Sequence, residues 1–274
     1  MSFTRYLVRK LGWYLGALVV AVFLNFLLPR LMPGNPVDTI VSTLGRGGAE
    51  GEQLRRVYEN YSVTFGLDKP LWEQFFIYCQ HLLKGDFGVS FTLYPAPVWG
   101  LIEEALPWTI GLQLPAILLG WILGNLLGAV AAYRAGWFDR GAFLSSLFMS
   151  SVPYYCVAIL LLYLFAVAFP ILPSSGGYSF GGEIEWSMAF GADVLRHYWL
   201  PFFSLLVVFI GGQAVGMRSM AIYELGSDYV NYSRGLGLRD SKIVRYIFRN
   251  AMLPQITGLA LSIGTLVGGA LVTE

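Results

Sequence analysis

Apolar residues run along this chain in long blocks rather than at alternate positions, and charged residues mark the blocks off. Windows free of Asp, Glu, Lys and Arg cover 11–29, 105–133, 141–182, 197–217 and 250–273, lengths of 19, 29, 42, 21 and 24 residues. A helix needs about 20 apolar residues to cross a bilayer. The pattern therefore predicts an all-α polytopic membrane protein with five spans: Leu11 to Leu28, Pro107 to Tyr133, Phe143 to Phe169, Tyr198 to Met217 and Leu253 to Val272. The long third window reads as one span plus a loop, because Pro170, Pro173, Ser174, Ser175, Gly176 and Gly177 punctuate its second half. The first span runs on into Pro29-Arg30-Leu31-Met32-Pro33 without a small-residue cleavage site, which reads as a retained anchor.

Charge distribution orients the spans. Short cytoplasmic segments hold Lys and Arg in excess, and with the N-terminus inside the inner segments carry 3, 2 and 6 basic residues. The segment from Leu31 to Leu106 then lies outside, with 5 basic and 9 acidic residues and helical phrases over Gly51 to Tyr61 and Pro70 to Leu83. The expected divisions are 1–30 for the N-terminus and first span, 31–106 for the outer insert, and 107–274 for a core containing an inner loop over 218–252.

Composition narrows the classes. Only 13% of residues are charged and 56% are hydrophobic, against roughly 25% charged in soluble domains. A formal charge of +1 leaves no footprint for nucleic acid. None of the five spans contains an Asp, Glu, Lys or Arg, whereas carriers driven by ion gradients keep ionisable groups at membrane depth. A gradient-driven carrier and a purely structural scaffold are thus the rival classes. The uncharged polar residues Asn25, Gln113, Asn125 and Gln213 either bond between helices or line a wet solute path. Gly120, Gly124 and Gly128 repeat at a four-residue step, which predicts close helix contact, and Gly12/Gly16, Gly212/Gly216 and Gly264/Gly268 repeat the step elsewhere.

Several chemical motifs fail on context. Gly177-Tyr178-Ser179-Phe180-Gly181 fits G-x-S-x-G, with Asp193 and His197 following, but it sits in a loop after a membrane helix and not between strand and helix. Cys79 and Cys156 fall in different segments, and no metal-ligand spacing is present, so the chain is read as binding no metal or cofactor of its own.

The inner loop is the most informative stretch. It reads as two short helices, the first capped by Ser227 or Asp228 and ended by a left-handed Gly237, the second capped by Asp240 or Ser241. Arg239, Lys242, Arg245 and Arg249 form one basic face of the second, as expected of a helix at lipid headgroups. The first, with Tyr229, Tyr232 and Arg234, has the composition of a protein-docking element.

This loop resembles the EAA loop of inner-membrane permeases of ATP-binding-cassette importers, in the dipeptide, oligopeptide and nickel branch. Asp228-Tyr229-Val230, Ser233-Arg234-Gly235-Leu236-Gly237-Leu238 and the later Leu253-Pro254 carry the likeness, while Asn231-Tyr232-Ser233 departs from E-A-A itself. Leu31 to Pro36, Phe65 to Leu71, Gly85-Asp86-Phe87-Gly88-Val89-Ser90, Leu106-Pro107-Trp108-Thr109 and Ser151-Val152-Pro153 are similar to further family motifs in the same order. The resemblance implies a type I importer permease with six spans, the chain ending where a fifth would reach the outer face. It also implies a second permease subunit, two cytoplasmic ATPases that carry ATP and Mg, an external solute-binding protein, and an inner-membrane, multi-pass location. By the same likeness Tyr229, Asn231, Tyr232, Ser233, Arg234 and Gly237 would couple to the ATPase. Peptide is the first expected solute and oligosaccharide the second, with nickel disfavoured by the lack of membrane histidines or thiolate pairs.

Overall fold

In a computed structural model the described residues are 3–31, 41, 51–64, 69–90, 93, 95–179 and 187–266. They form helices α1 (Phe3–Leu31), α2 (Gly51–Thr64), α3 (Leu71–Leu83), α4 (Val98–Arg134), α5 (Gly136–Ser151), α6 (Tyr154–Leu162, continued by a π-helical turn Tyr163–Ala168), α7 (Met188–Leu225), α8 (Asp228–Gly235) and α9 (Asp240–Thr265). Extended pairing among the described residues is confined to one isolated bridge between Val89 and Pro97. The motifs expected over Leu31 to Pro36 and Phe65 to Leu71 lie largely outside the described residues.

The chain divides into two compact units, residues 1–104 and 105–274. In the first, α1 and α3 meet through Phe26, whose buried ring lies edge-on to Phe75 at 5.2 Å and beside Tyr78 at 5.6 Å. Arg30 covers the other side of Phe26 at 3.8 Å and donates to Gln74 Oε1 at 3.0 Å. Most of the rest of α1 is exposed apolar surface. After α3 the Gly85 to Ser90 motif makes a tight reversal. Gly85 and Gly88 take φ values of 75° and 74°, and Asp86 accepts from the Gly88 N–H at 2.9 Å while its other oxygen meets His81 Nδ1 at 2.7 Å. Val98 N–H then donates to the Gly88 carbonyl, and Phe87 stacks on Trp99 at 5.7 Å.

In the second unit α4 and α7 pack backbone to backbone. A Cβ added at Gly120 would stand 2.5 Å from Phe209 Cβ, and one at Gly124 would stand 2.7 Å from the Ile210 carbonyl oxygen; Gly128 abuts Ala214 and Arg218 in the same way. The four-residue glycine step of this helix therefore packs it within the subunit. A Cβ added at Gly12, Gly16 or Gly212 meets nothing within 4 Å among the described residues, so these positions do not act so, while Gly216 meets the Gln255 side chain; Gly211 is the glycine of α7 that abuts α5, at the Ser146 carbonyl. Leu112 and Ala116 of α4 join Phe202, Leu205 and Leu206 of α7 in the core.

Among the described residues three helices are long and apolar enough to cross a membrane, α1, α4 and α7, or up to four with the pair α5 and α6 counted as one. The third span is not one helix as expected. α5 and α6 meet at 91°, because Pro153 has no N–H to continue the helix and holds Val152 extended at φ −87°, ψ 124°. The fifth expected span begins within α9, but its end passes beyond residue 266 and outside the described residues. α4 and α7 overrun their expected bounds at both ends, into turns that carry charged residues and fall outside the hydropathy windows.

Candidate functional site

α7 ends at Leu225, and two residues later the chain starts the eight-residue α8. An isolated helix so short is unstable in water, so packing must hold it. Val230 and Ser233, one turn apart, are its buried residues. Val230 sits in a cluster with Ala132 of α4, Ala221 of α7 and Ile243 and Ile247 of α9, flanked by Leu225, Tyr229 and Leu238.

Hydrogen bonds fasten both ends. Ser227 occupies the N-cap but does not cap as expected: its hydroxyl donates back to the Glu224 carbonyl at 2.6 Å. Tyr229 takes up the anchoring duty, its hydroxyl donating to Glu224 Oε2 at 2.7 Å, with Asn250 Nδ2 reaching the same oxygen at 3.5 Å. Burial, reinforced by the Glu224 carboxylate, pushes the Tyr229 phenol above its ordinary range. At the C-terminus Gly237 has φ 69°. Leu238 N–H donates to the Ser233 carbonyl and Gly237 N–H to the Arg234 carbonyl, the paired bonds of a Schellman ending, with Leu238 packed on the Val230 cluster as the accompanying apolar contact.

The expected coupling residues thus divide by duty. Tyr229, Ser233 and Gly237 seat the helix; Asn231, Tyr232 and Arg234 face outward, with Tyr232 70% and Leu236 61% exposed. Glu224 is not among the residues to which the sequence points, and Val230, Leu236 and Leu238, which carry the family likeness, have no expected coupling role there, although the three-residue spacing of Val230 and Ser233 marks the inner face. The second helix starts at Asp240 with Arg239 at its N-cap, and no side chain caps it, unlike the expectation for Asp240 or Ser241. It continues without interruption through Leu253-Pro254.

The polar residues of the spans occupy different settings. Asn25 is exposed, Gln213 is half-buried against Gly124, and Gln113 and Asn125 are buried. Asn125 Nδ2 donates to the Trp121 carbonyl at 2.7 Å, and its Oδ1 has no partner among the described residues. Trp121 Nε1 donates to the Gln255 carbonyl at 2.9 Å, and the Gln255 side chain lies against Gly216. Gln255 therefore joins this group, which ties α4, α7 and α9 together.

Ser179, Asp193 and His197 do come together, but in the wrong order for catalysis. Ser179 donates to Asp193 from both its hydroxyl, at 2.7 Å, and its N–H, at 2.6 Å, while His197 Nδ1 lies 2.9 Å from the Asp193 backbone carbonyl. A hydrolytic triad needs histidine between serine and aspartate; here the aspartate is central and the group ties a loop to α7.

Residues 124–274 match the family described as binding-protein-dependent transport system inner membrane component. The chain is 31% identical over 273 residues to the dipeptide transport system permease protein DppB of Lactococcus lactis, spanning 98% of this chain and 82% of that protein. It is 31% identical to the di/tripeptide transport system permease protein DppB of Pseudomonas aeruginosa and 32% identical to a putative peptide permease protein of Brucella ovis, with the same coverages.

Proposed function

We infer the role of this chain from its family: it belongs to the inner-membrane components of binding-protein-dependent transport systems, in the dipeptide and peptide permease group. It is a multi-pass membrane permease subunit. We propose that the solute is a di- or oligopeptide, because the similar permeases named above carry peptide in their names. Oligosaccharide, the alternative reading, has no such support.

The proposed assembly pairs this subunit with a second permease, two cytoplasmic ATPases and an external binding protein. In it the N-terminus and α8 face the cytoplasm, and residues 31–106 face outward toward the binding protein. One observation carries the coupling role: α8 is seated from within by Val230 and Ser233 and presents Asn231, Tyr232 and Arg234 outward. A short helix whose exposed face holds an aromatic residue and an arginine is suited to a pocket on a partner. Because that helix is tied through Tyr229 and Glu224 to the end of α7, a push on it reaches a membrane-crossing helix directly. Such a link is what a nucleotide-biased two-state element requires.

The test is peptide uptake by the reconstituted assembly. Uptake is expected to need ATP and to persist when ion gradients are collapsed with ionophores. Uptake that survives ATP depletion and fails with the gradient would replace this reading with that of a carrier.

A further inference from the structure

α9 carries two unlike faces. Ile243, Ile247, Ala251 and Gln255, at four-residue steps, are buried. Lys242, Tyr246, Arg249, Leu253 and Ile256, at steps of four and three, lie on one exposed stripe, with Arg245 beside it. None of the three cations has an ion-pair or hydrogen-bond partner among the described residues. Leu253 is 69% and Ile256 52% exposed. The stripe is thus cationic at the start of the helix and apolar one turn later, a change over about 6 Å of helix rise.

A folded aqueous partner could neutralise the cations, but it would leave the apolar half of the same stripe uncovered. A bilayer meets both halves, with headgroup phosphates at the depth of Lys242 to Arg249 and acyl chains at Leu253 and Ile256. Tyr246, 44% exposed, stands where aromatic side chains favour the interface. We propose that this stripe binds the headgroups of anionic phospholipids in the leaflet that α8 faces. The proposal rests on the cytoplasmic placement of α8 given above. Binding would fix the base of α9 beside Asn250, which reaches the Glu224 carboxylate that also holds Tyr229. Anionic lipid thereby supports the seat of the docking helix.

The experiment uses the complete importer in vesicles of phosphatidylcholine, and of phosphatidylcholine with phosphatidylglycerol at roughly two to one. Native mass spectrometry counts the phosphatidylglycerol kept on the extracted complex, and a photoreactive residue replacing Tyr246 reports its neighbours. Lys242→Gln, Arg245→Gln and Arg249→Gln are expected each to lower retention about fivefold, the factor equivalent to about 1 kcal/mol per basic residue at an anionic surface. The photoreactive residue is expected to label lipid. Unchanged retention in all three single variants, or labelling of an ATPase or of the second permease in place of lipid, would overturn the proposal. Each substitution is on the exposed face, and photolabelling in the otherwise unaltered complex decides the matter should a variant fold poorly. Lipid retention without ATP-driven uptake would strike the import reading alone.

Discussion

Arg218 of α7 grips Asp139 of α5 through two parallel hydrogen bonds, at 2.5 and 2.6 Å, with the guanidinium 4.4 Å from the ring of Phe143. The two side chains are separated by 79 positions and are mostly buried. A planar fork matched to a carboxylate cannot be reproduced by an ammonium group. The pair fixes the start of the bent α5–α6 segment to α7, two turns before α7 ends at Leu225.

Arg218→Ala is expected to destabilise the subunit by about 2 kcal/mol, between the values for exposed and fully buried pairs. Arg218→Lys should recover only part of this. Thermal unfolding of the detergent-solubilised subunit measures both, and full recovery with lysine would show that the bidentate geometry is immaterial.

The α4–α7 contact predicts opposite outcomes at two kinds of glycine. Gly124→Ala places a methyl 2.6 Å from Gln213 Cβ and 2.7 Å from the Ile210 carbonyl, so a loss of about 1–3 kcal/mol is expected from overpacking. Gly212→Ala meets nothing within 4 Å among the described residues and should be neutral or stabilising by up to about 1 kcal/mol through helix propensity. A lowered melting temperature for Gly124→Ala alone is the expected pattern, and equal effects at the two sites would contradict the packing described.

A Cβ at Gly237 would meet nothing within 4 Å among the described residues, but the backbone there is left-handed. Gly237→Val therefore acts through φ alone, at a cost of about 1–2 kcal/mol. The Schellman ending of α8 should be disturbed while the subunit stays folded, and ATP hydrolysis should proceed with reduced peptide uptake. The ratio of peptide transported to ATP hydrolysed checks it; a wild-type ratio would count against a coupling role for α8.

Asp86 supplies a pH dependence. The Gly88 N–H, and after it His81, hold its carboxyl below the ordinary carboxylate range. A depressed folded-state value means that the contribution to stability is complete above the unfolded carboxylate range and disappears as pH falls through the folded value. Asp86→Asn is expected to flatten this acidic limb of the stability profile, read by unfolding of the purified subunit across acidic pH. An unchanged limb would show that the reversal does not depend on the charge.

The C-terminal end of α8 was legible from residue type alone, because a Schellman ending depends on local backbone chemistry: Gly237 and Leu238 stand where the structure needs them, whereas the expected side-chain caps of α8 and α9 do not form. The helical phrases expected between residues 51 and 83 were legible too, as α2 and as α3 with Pro70 before it. The bend at Pro153 was not foreseen, although the proline was noted, because hydropathy averages across a break in direction. Equally hidden were the partners of the glycines and of Gln255, since a four-residue step announces a close contact without saying with what.

By itself the sequence determined that the chain is helical, lies in a membrane and carries a short, glycine-ended helix in its last charged loop, because these follow from hydropathy, charge bias and local backbone preference. Only the tertiary structure decided which face of that element is free. Val230 and Ser233 turn inward because residues of three other helices, Ala132 of α4, Ala221 of α7 and Ile243 and Ile247 of α9, assemble the apolar seat that α8 caps. Burial of that kind is a property of the assembled helices, and no window of neighbouring residues contains it.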